Sequence, residues 1–388
     1  MIDFPNLWPG GARAASASGN ETKGSLMSAT DKVGVGIIGL SAKGSWSAAA
    51  HLPALAALDG YELRALSASS PDSAKAAGEL YGVPLVFDSA EKLAQHPDVD
   101  LVVVTVKVPR HDELIRPALE AGKMVLCEWP LAANPHQAEE LSALAGDIRT
   151  AVGLQERSAP ALRYLRDMIA DGYLGEVLST TLTVSGVGWG ETYQTHAKYT
   201  LDPANGATML TVPFAHVIDT LTMVLGDIAH LKATTAIRRP VVYDAQTGEA
   251  ATANAPDQIA VTATLKSGVV ATTHMRGGTS RASNFRWEIN GTDGDIVVTA
   301  PEGALLSRSL TLYGARGADT ELAELPVPAS YVRVLAGQSD EFAYHIAHSY
   351  LQLHDDITSG GNVVPDFAHA VRLHKLLDDV TASADRDQ

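Results

Sequence analysis

Val33-Gly34-Val35-Gly36-Ile37-Ile38-Gly39-Leu40-Ser41-Ala42-Lys43-Gly44-Ser45-Trp46 is the stretch that decides the fold. An apolar run breaks into small residues and then into a helix-compatible segment, Ser45 to Leu58. Strand, tight turn and helix N-terminus together make a pyrophosphate cradle, because the first N–H groups and the helix dipole favour an anion. Two sets of small residues compete for the role. Gly34-x-Gly36-x-x-Gly39 matches the dinucleotide fingerprint literally, but its first two members fall inside the strand. Gly39, Ser41 and Gly44 keep the same spacing at the strand's end, with Ser as the next smallest residue where backbone approaches phosphate. The second set is expected to hold the cofactor. The plainer alternative is a glycine-rich turn that only packs a helix on a sheet.

Working outward, strand-like and helix-like patterns alternate from Lys32 to about Val152. Expected strands are Val33–Ile38, Tyr61–Ala68, Leu85–Phe87, Leu101–Val106, Met124–Cys127 and Thr150–Gly153. Helices are expected at Ser45–Leu58, Ser70–Tyr81, His111–Ala121 and His136–Leu144. The continuous apolar run Leu101–Val106 marks a strand buried on both faces of a parallel sheet. The second half reads differently. After a helix at Ala159–Asp171, alternating patterns dominate at Leu178–Val184, Ile228–Ile237, Gln258–Leu265, Val269–Met275, Arg286–Asn290 and Asp295–Thr299. Helices are expected at Pro213–Leu225 and Asp340–Thr358. The fold class is therefore α/β: a doubly wound parallel sheet over 31–153, then an α+β domain over 154–388 with a large, mostly antiparallel open-faced sheet. Residues 1–30, polar and without apolar periodicity, read as a flexible leader, with Met27 as an alternative start.

Composition narrows the class. The 388 residues carry a net charge of −16, with no basic stripe, which argues against nucleic acid and anionic membrane as partners. The single cysteine, Cys127, excludes an intramolecular disulfide and suits a reducing cytoplasm. No Cys or His cluster has metal-ligand spacing. After the second strand stands Ser67-Ala68-Ser69-Ser70, where an acid would bond the ribose 2′-hydroxyl of NAD. NADP is thereby tolerated, and NAD or NADP is the expected cofactor with a lean to NADP.

The run Gly122-Lys123-Met124-Val125-Leu126-Cys127-Glu128-Trp129-Pro130 completes a second motif. With the first, it resembles the glucose–fructose oxidoreductase, inositol dehydrogenase and MocA family. In that family a Glu-Lys-Pro turn sits beside the nicotinamide, its lysine acting as acid/base partner. Here Trp129 takes the lysine's place, similar to the branch containing the yeast galactose-pathway repressor. Leu154-Gln155-x-Arg157, Gly172-Tyr173-Leu174-Gly175, Gly188-Trp189 and Lys198-Tyr199 agree with that branch. The family's helix pattern Asp-x-x-x-His-x-x-Asp reads Val212 through His216 to Asp219, with the first acid lost.

The resemblance implies cofactor contacts from Gly39, Ser41, Lys43, Gly44, Ser45 and Trp46 in the first loop, and from Ser69 and Ser70 after the second strand. It adds Val106, Lys107 and His111 after the fourth strand, and Glu128, Trp129, Pro130 and Gln155 beyond. Substrate contacts are expected from Arg157, Trp189, Tyr199 and Asp219. His216 is the expected proton partner of hydride transfer, because a neutral imidazole can take a hydroxyl proton; alternatively it is a core histidine capped by Asp219. Lys198 is the expected second acid/base group, or else a solvated surface lysine. Two functions remain open: hydride transfer on a sugar, sugar derivative or cyclitol, or a cofactor-binding sensor without turnover. The resemblance also implies a homo-oligomer formed through the C-terminal sheet.

Overall fold

The computed structural model describes residues 31–301, 303, 310–334 and 341–386; the leader and Asp340 lie outside them. The first sheet contains β1 (Val33–Ile38), β2 (Tyr61–Ser67), β3 (Leu85–Phe87), β4 (Leu101–Val104), β5 (Met124–Glu128) and β6 (Thr150–Gly153). They run parallel in the order β3-β2-β1-β4-β5-β6. The order reverses between β1 and β4, and such a switch point opens a crevice at the strands' carboxyl ends. β1 and β4 are buried along their whole length, as their continuous apolar runs require.

The helices of this half are α1 (Leu52–Ala56), α2 (Pro71–Tyr81), α3 (Ala90–Ala94), α4 (His111–Glu120) and α5 (Pro135–Ala145). The expected helix Ser45–Leu58 departs from regularity. Ser47–His51 form a wide π-turn in which the Leu52 N–H reaches back five residues to Ser47 O, before α1 begins. Pro53 follows at once and has no N–H for the regular ladder.

After α6 (Pro160–Ala170) come β7 (Val177–Gly186), β8 (Thr192–Tyr193), α7 (Ala215–Leu225) and β9 (Ile228–Ala236). Then follow β10 (Val241–Asp244), β11 (Ala250–Thr252), β12 (Gln258–Leu265), β13 (Val270–Gly277), β14 (Phe285–Gly291), β15 (Gly294–Ala300), β16 (Thr311–Arg316) and β17 (Ala323–Glu324). The large sheet runs β17-β16-β15-β14-β7-β13-β12-β9, antiparallel except where β7 meets β13, and β8, β10 and β11 form a small separate sheet. β12 alternates buried and exposed residues, so one face of the large sheet packs inward. A continuous core runs from Val102 and Val125 through Leu162 and Phe214 to Trp287 and Ile296, joining both sheets.

The chain returns to the first sheet through α8 (Glu341–Ser359) and α9 (Phe367–Arg386). The sequence reading places no helix over α9, although Phe367, Ala370, Leu373, Leu377, Val380 and Ala384 recur at helical spacing and are buried. Around α9 the chain fastens both halves together. The Val152 N–H on the edge strand β6 donates to Pro365 O (2.8 Å), and Phe367 N–H donates to Thr150 Oγ1 (3.2 Å). On β9, Ala233 N–H donates to Ser383 Oγ (3.1 Å).

Candidate active site

The loop after β1 has the shape of an anion cradle. Gly39 sits at φ +109°, and a Cβ there would lie 2.9 Å from Thr105 Oγ1 and 3.0 Å from Val106 Cγ1. Gly44, at φ +89°, faces open space: a Cβ added to it would meet no atom within 4 Å. Gly44 N–H closes the turn onto Ser41 O (3.1 Å), and the Tyr81 hydroxyl donates to the same carbonyl (3.0 Å). Ser45 Oγ accepts from Ala48 N–H (3.3 Å), while Ser47 Oγ donates to Gly39 O (3.2 Å). The loop is thus braced from beneath and open above, which fits a dinucleotide pyrophosphate. Gly34 and Gly36 serve packing instead: their Cβ atoms would lie 2.1 Å from Asp98 O and 2.7 Å from Leu93 Cδ2. Lys43 and Ser69 are exposed. Ser70 accepts from Ser73 N–H (3.3 Å) as the N-cap of α2.

At the carboxyl end of β5, Glu128 is held on both oxygens. Trp46 Nε1 donates to Oε2 (3.0 Å), and His51 Nε2 meets Oε1 (3.0 Å). His51 Nδ1 in turn meets the buried Tyr350 hydroxyl (2.9 Å), whose pKa burial pushes up. Gly153 is small enough to admit Glu128, because a Cβ there would come within 2.8 Å of Oε1. The Trp129–Pro130 bond is cis. Trp129 is 5% exposed; its Nε1 donates to Thr211 O (2.6 Å) and its ring lies against His374 at 4.7 Å between centroids. His111 is a strut: Nδ1 lies 2.8 Å from Pro130 O and Nε2 2.9 Å from Val106 O, and burial lowers its pKa.

Thr211 belongs to a second π-turn, Leu210–Phe214, in which Phe214 N–H reaches Met209 O (3.0 Å) five residues back. Pro213 inside it removes an N–H and widens the turn. This turn leads into α7 and sets His216. His216 Nδ1 lies 2.5 Å from Glu156 Oε2, and Nε2 has no hydrogen-bond partner among the described residues. Burial opposes a charged imidazolium here, but the Glu156 carboxylate, with Asp219 and Glu128 beyond it, outweighs burial and raises the His216 pKa. Glu128 therefore lies within electrostatic reach of His216. Sequence spacing does not single out Glu156, because nothing local in Leu154-Gln155-x-Arg157 signals a partner 60 residues away.

The remaining expected residues are distributed unequally. Asp219 does not cap His216. It is 2% exposed and is bonded by Arg157 Nε (2.7 Å), Arg157 Nη2 (3.1 Å) and His369 Nε2 (2.6 Å). Burial would raise its carboxyl, and the His369 and Arg157 bonds more than offset that, leaving its pKa below the ordinary range. Arg157 is thus committed to Asp219. Lys198 is 54% exposed and pairs with Glu249 (3.7 Å), away from the His216 cluster's hydrogen bonds. Lys107, exposed after β4, places its ammonium 4.9 Å from the Tyr199 ring centroid. Gln155 is buried, and its Oε1 has no partner among the described residues. Trp189 is half-buried against the core. Among the described residues no three His, Cys, Asp or Glu side chains are placed to hold a metal, and no described helix is long and apolar enough to cross a membrane.

Residues 33–153 match the oxidoreductase family with an NAD-binding Rossmann fold, and residues 160–300 match the Gal80p C-terminal domain. The dehydrogenase aclE of Aspergillus oryzae is 37% identical over 223 residues, which span 55% of this chain and 61% of that protein. The galactose/lactose metabolism regulatory protein GAL80 of Kluyveromyces lactis is 27% identical over 316 residues, covering 75% of this chain and 69% of the other. Among solved structures, a super-repressor mutant of Gal80p from Saccharomyces cerevisiae superimposes with a TM-score of 0.82 at 23% identity, covering 92% of this chain and 97% of that one. Levoglucosan dehydrogenase in complex with NADH and levoglucosan superimposes with a TM-score of 0.78 at 20% identity, covering 92% and 98%.

Proposed function

We propose that the chain, whose residues 33–153 match the NAD-binding oxidoreductase family and whose residues 160–300 match the Gal80p C-terminal domain, is a member of the glucose–fructose oxidoreductase, inositol dehydrogenase and MocA family in its Gal80-like branch, and an NAD(P)-dependent oxidoreductase acting on a sugar, sugar derivative or cyclitol. The observation that carries this reading is His216, with Nδ1 engaged by a carboxylate and Nε2 left without a protein partner among the described residues. An imidazole so arranged can exchange a proton with a substrate hydroxyl.

When bound, the nicotinamide ring supplies the hydride acceptor or donor. The chain's own residues do the rest. The Gly39–Trp46 loop and the first N–H groups of the following helical turn would hold the pyrophosphate. Glu128, fixed by Trp46 and His51, holds the end of β5 in place. In oxidation His216 Nε2 would take the proton of the substrate hydroxyl, and in reduction it would return it. The serines at Ser67–Ser70 put no carboxylate against a ribose 2′-phosphate, which supports use of NADP as well as NAD.

A second reading, a cofactor-binding regulator without turnover, is favoured by one specific feature. Trp129 offers a buried indole where the family has a titrating lysine. The test is absorbance at the reduced-nicotinamide band with a panel of sugars and cyclitols, in both directions, with NAD and NADP separately. Turnover that disappears in His216→Ala supports the oxidoreductase. Tight cofactor binding without turnover across the panel supports the regulator.

A further inference from the structure

We propose that Glu156 is a positioning residue for the reaction, supplying from a separate segment the carboxylate that the His216 helix does not provide. This rests on the hydride-transfer reading above. On the turn that leads into α7, residue 212 is valine, and on α7 itself Asp219 is saturated by Arg157 and His369. Glu156 approaches instead from the short helical turn Gln155–Ser158 after β6, and its side chain is 2% exposed.

The consequence is one of tautomers. A carboxylate only accepts, so Glu156 Oε2 requires a proton on His216 Nδ1. The neutral ring then carries its lone pair on Nε2, the nitrogen without a protein partner, which is the form a general base needs. An amide at position 156 can donate its N–H to Nδ1 and drive the proton to Nε2. The pairing also works in the other direction. Glu156 Oε1 is buried with no partner among the described residues, so His216 is the group that compensates this carboxylate.

The charged groups facing His216 come from three elements: Glu156 after β6, Asp219 on α7 and Glu128 on β5. Asp219 is balanced by Arg157 and by His369 from α9, and Glu128 is bonded by His51 and Trp46. Glu156 alone among the three carboxylates hydrogen-bonds the His216 ring.

The experiment is a titration of the imidazole nitrogens of the full chain by NMR, assigned by loss of the signal in His216→Gln and repeated in Glu156→Gln and Glu156→Asp. The expected result is a His216 midpoint above 6.5 that falls in Glu156→Gln and is retained in Glu156→Asp. In parallel, kcat in the oxidation direction should fall about 100-fold or more in Glu156→Gln with little change in KM. An unmoved midpoint in Glu156→Gln overturns the pairing, whatever the turnover. A midpoint that moves as expected in Glu156→Gln, alongside a wild-type protein that shows no turnover across the panel of sugars and cyclitols, overturns the hydride-transfer reading, and Glu156's part in a reaction with it.

Discussion

The indole of Trp129 donates from Nε1 to Thr211 O at 2.6 Å, tying the turn after β5 to the π-turn that launches α7. Trp129 is therefore a brace between the turn after β5 and the segment that carries His216. Trp129→Phe should lower stability by about 1 kcal/mol, the worth of one buried hydrogen bond, with little loss of cofactor affinity. Trp129→Lys should unfold at a lower temperature and show no gain in kcat. A large rate gain in the lysine variant would mean that His216 is not a sufficient proton partner.

The cradle can be tested by glycine position. Gly44→Ala adds a methyl in open space at positive φ, for a strain of roughly 1 kcal/mol, yet the methyl intrudes where phosphate is expected. Dinucleotide affinity should fall about tenfold or more, with a small change in Tm. Gly34→Ala meets Asp98 O inside the first sheet and should destabilise the fold severely. Equal affinity in Gly44→Ala and wild type, by calorimetry, would move the pyrophosphate elsewhere.

The raised His216 pKa sets a direction for pH dependence. Oxidation needs the neutral ring, so its rate should climb with pH and level off above a midpoint higher than 6.5. Reduction needs the protonated ring and should decline over the same range. For stability, the raised value means that the Glu156–His216 contribution is complete below 6.5 and is lost as pH rises through the folded-state value. Initial rates in both directions, measured from roughly pH 5 to roughly pH 10, would reveal a reversed order.

Asp219→Asn should cost about 3–5 kcal/mol, because it leaves Arg157 and His369 without their shared buried counter-charge. The Asp219 pKa lies below 3.8, so its contribution is present above 3.8 and lost as pH falls through the folded-state value. Urea unfolding of wild type and variant at neutral pH measures the difference. A loss under about 1 kcal/mol would class the cluster as a weak, solvent-screened pair.

The architecture was legible because its signals are local. Continuous apolar runs, glycine turns and helical spacing lie within windows of roughly ten to fifteen residues, and β1 to β6 follow them closely. The two π-turns were not legible, since periodicity does not distinguish a widened turn from a regular one, although Pro53 and Pro213 sit beside the places where the ladder fails. The site was legible by residue type and less so by pairing. His216 stands with a carboxylate, but that carboxylate is Glu156, 60 residues away, while Asp219 takes partners 62 and 150 residues distant. Lys198, a cation in a suggestive loop, has Glu249 as its ion-pair partner at the surface.

The fastening of both halves by α9 has a consequence for biogenesis. Asp219 receives His369 from a helix 150 residues downstream, and the edge strand β6 receives Pro365 O from the same region. At about 5–20 residues per second, a ribosome needs on the order of ten seconds to deliver that segment after Asp219 has been made. Throughout that interval the nascent chain carries an uncovered strand edge and a partly compensated buried acid. Closure of the β6 edge by Pro365 O and completion of the Asp219 cluster by His369 are thus late events of synthesis.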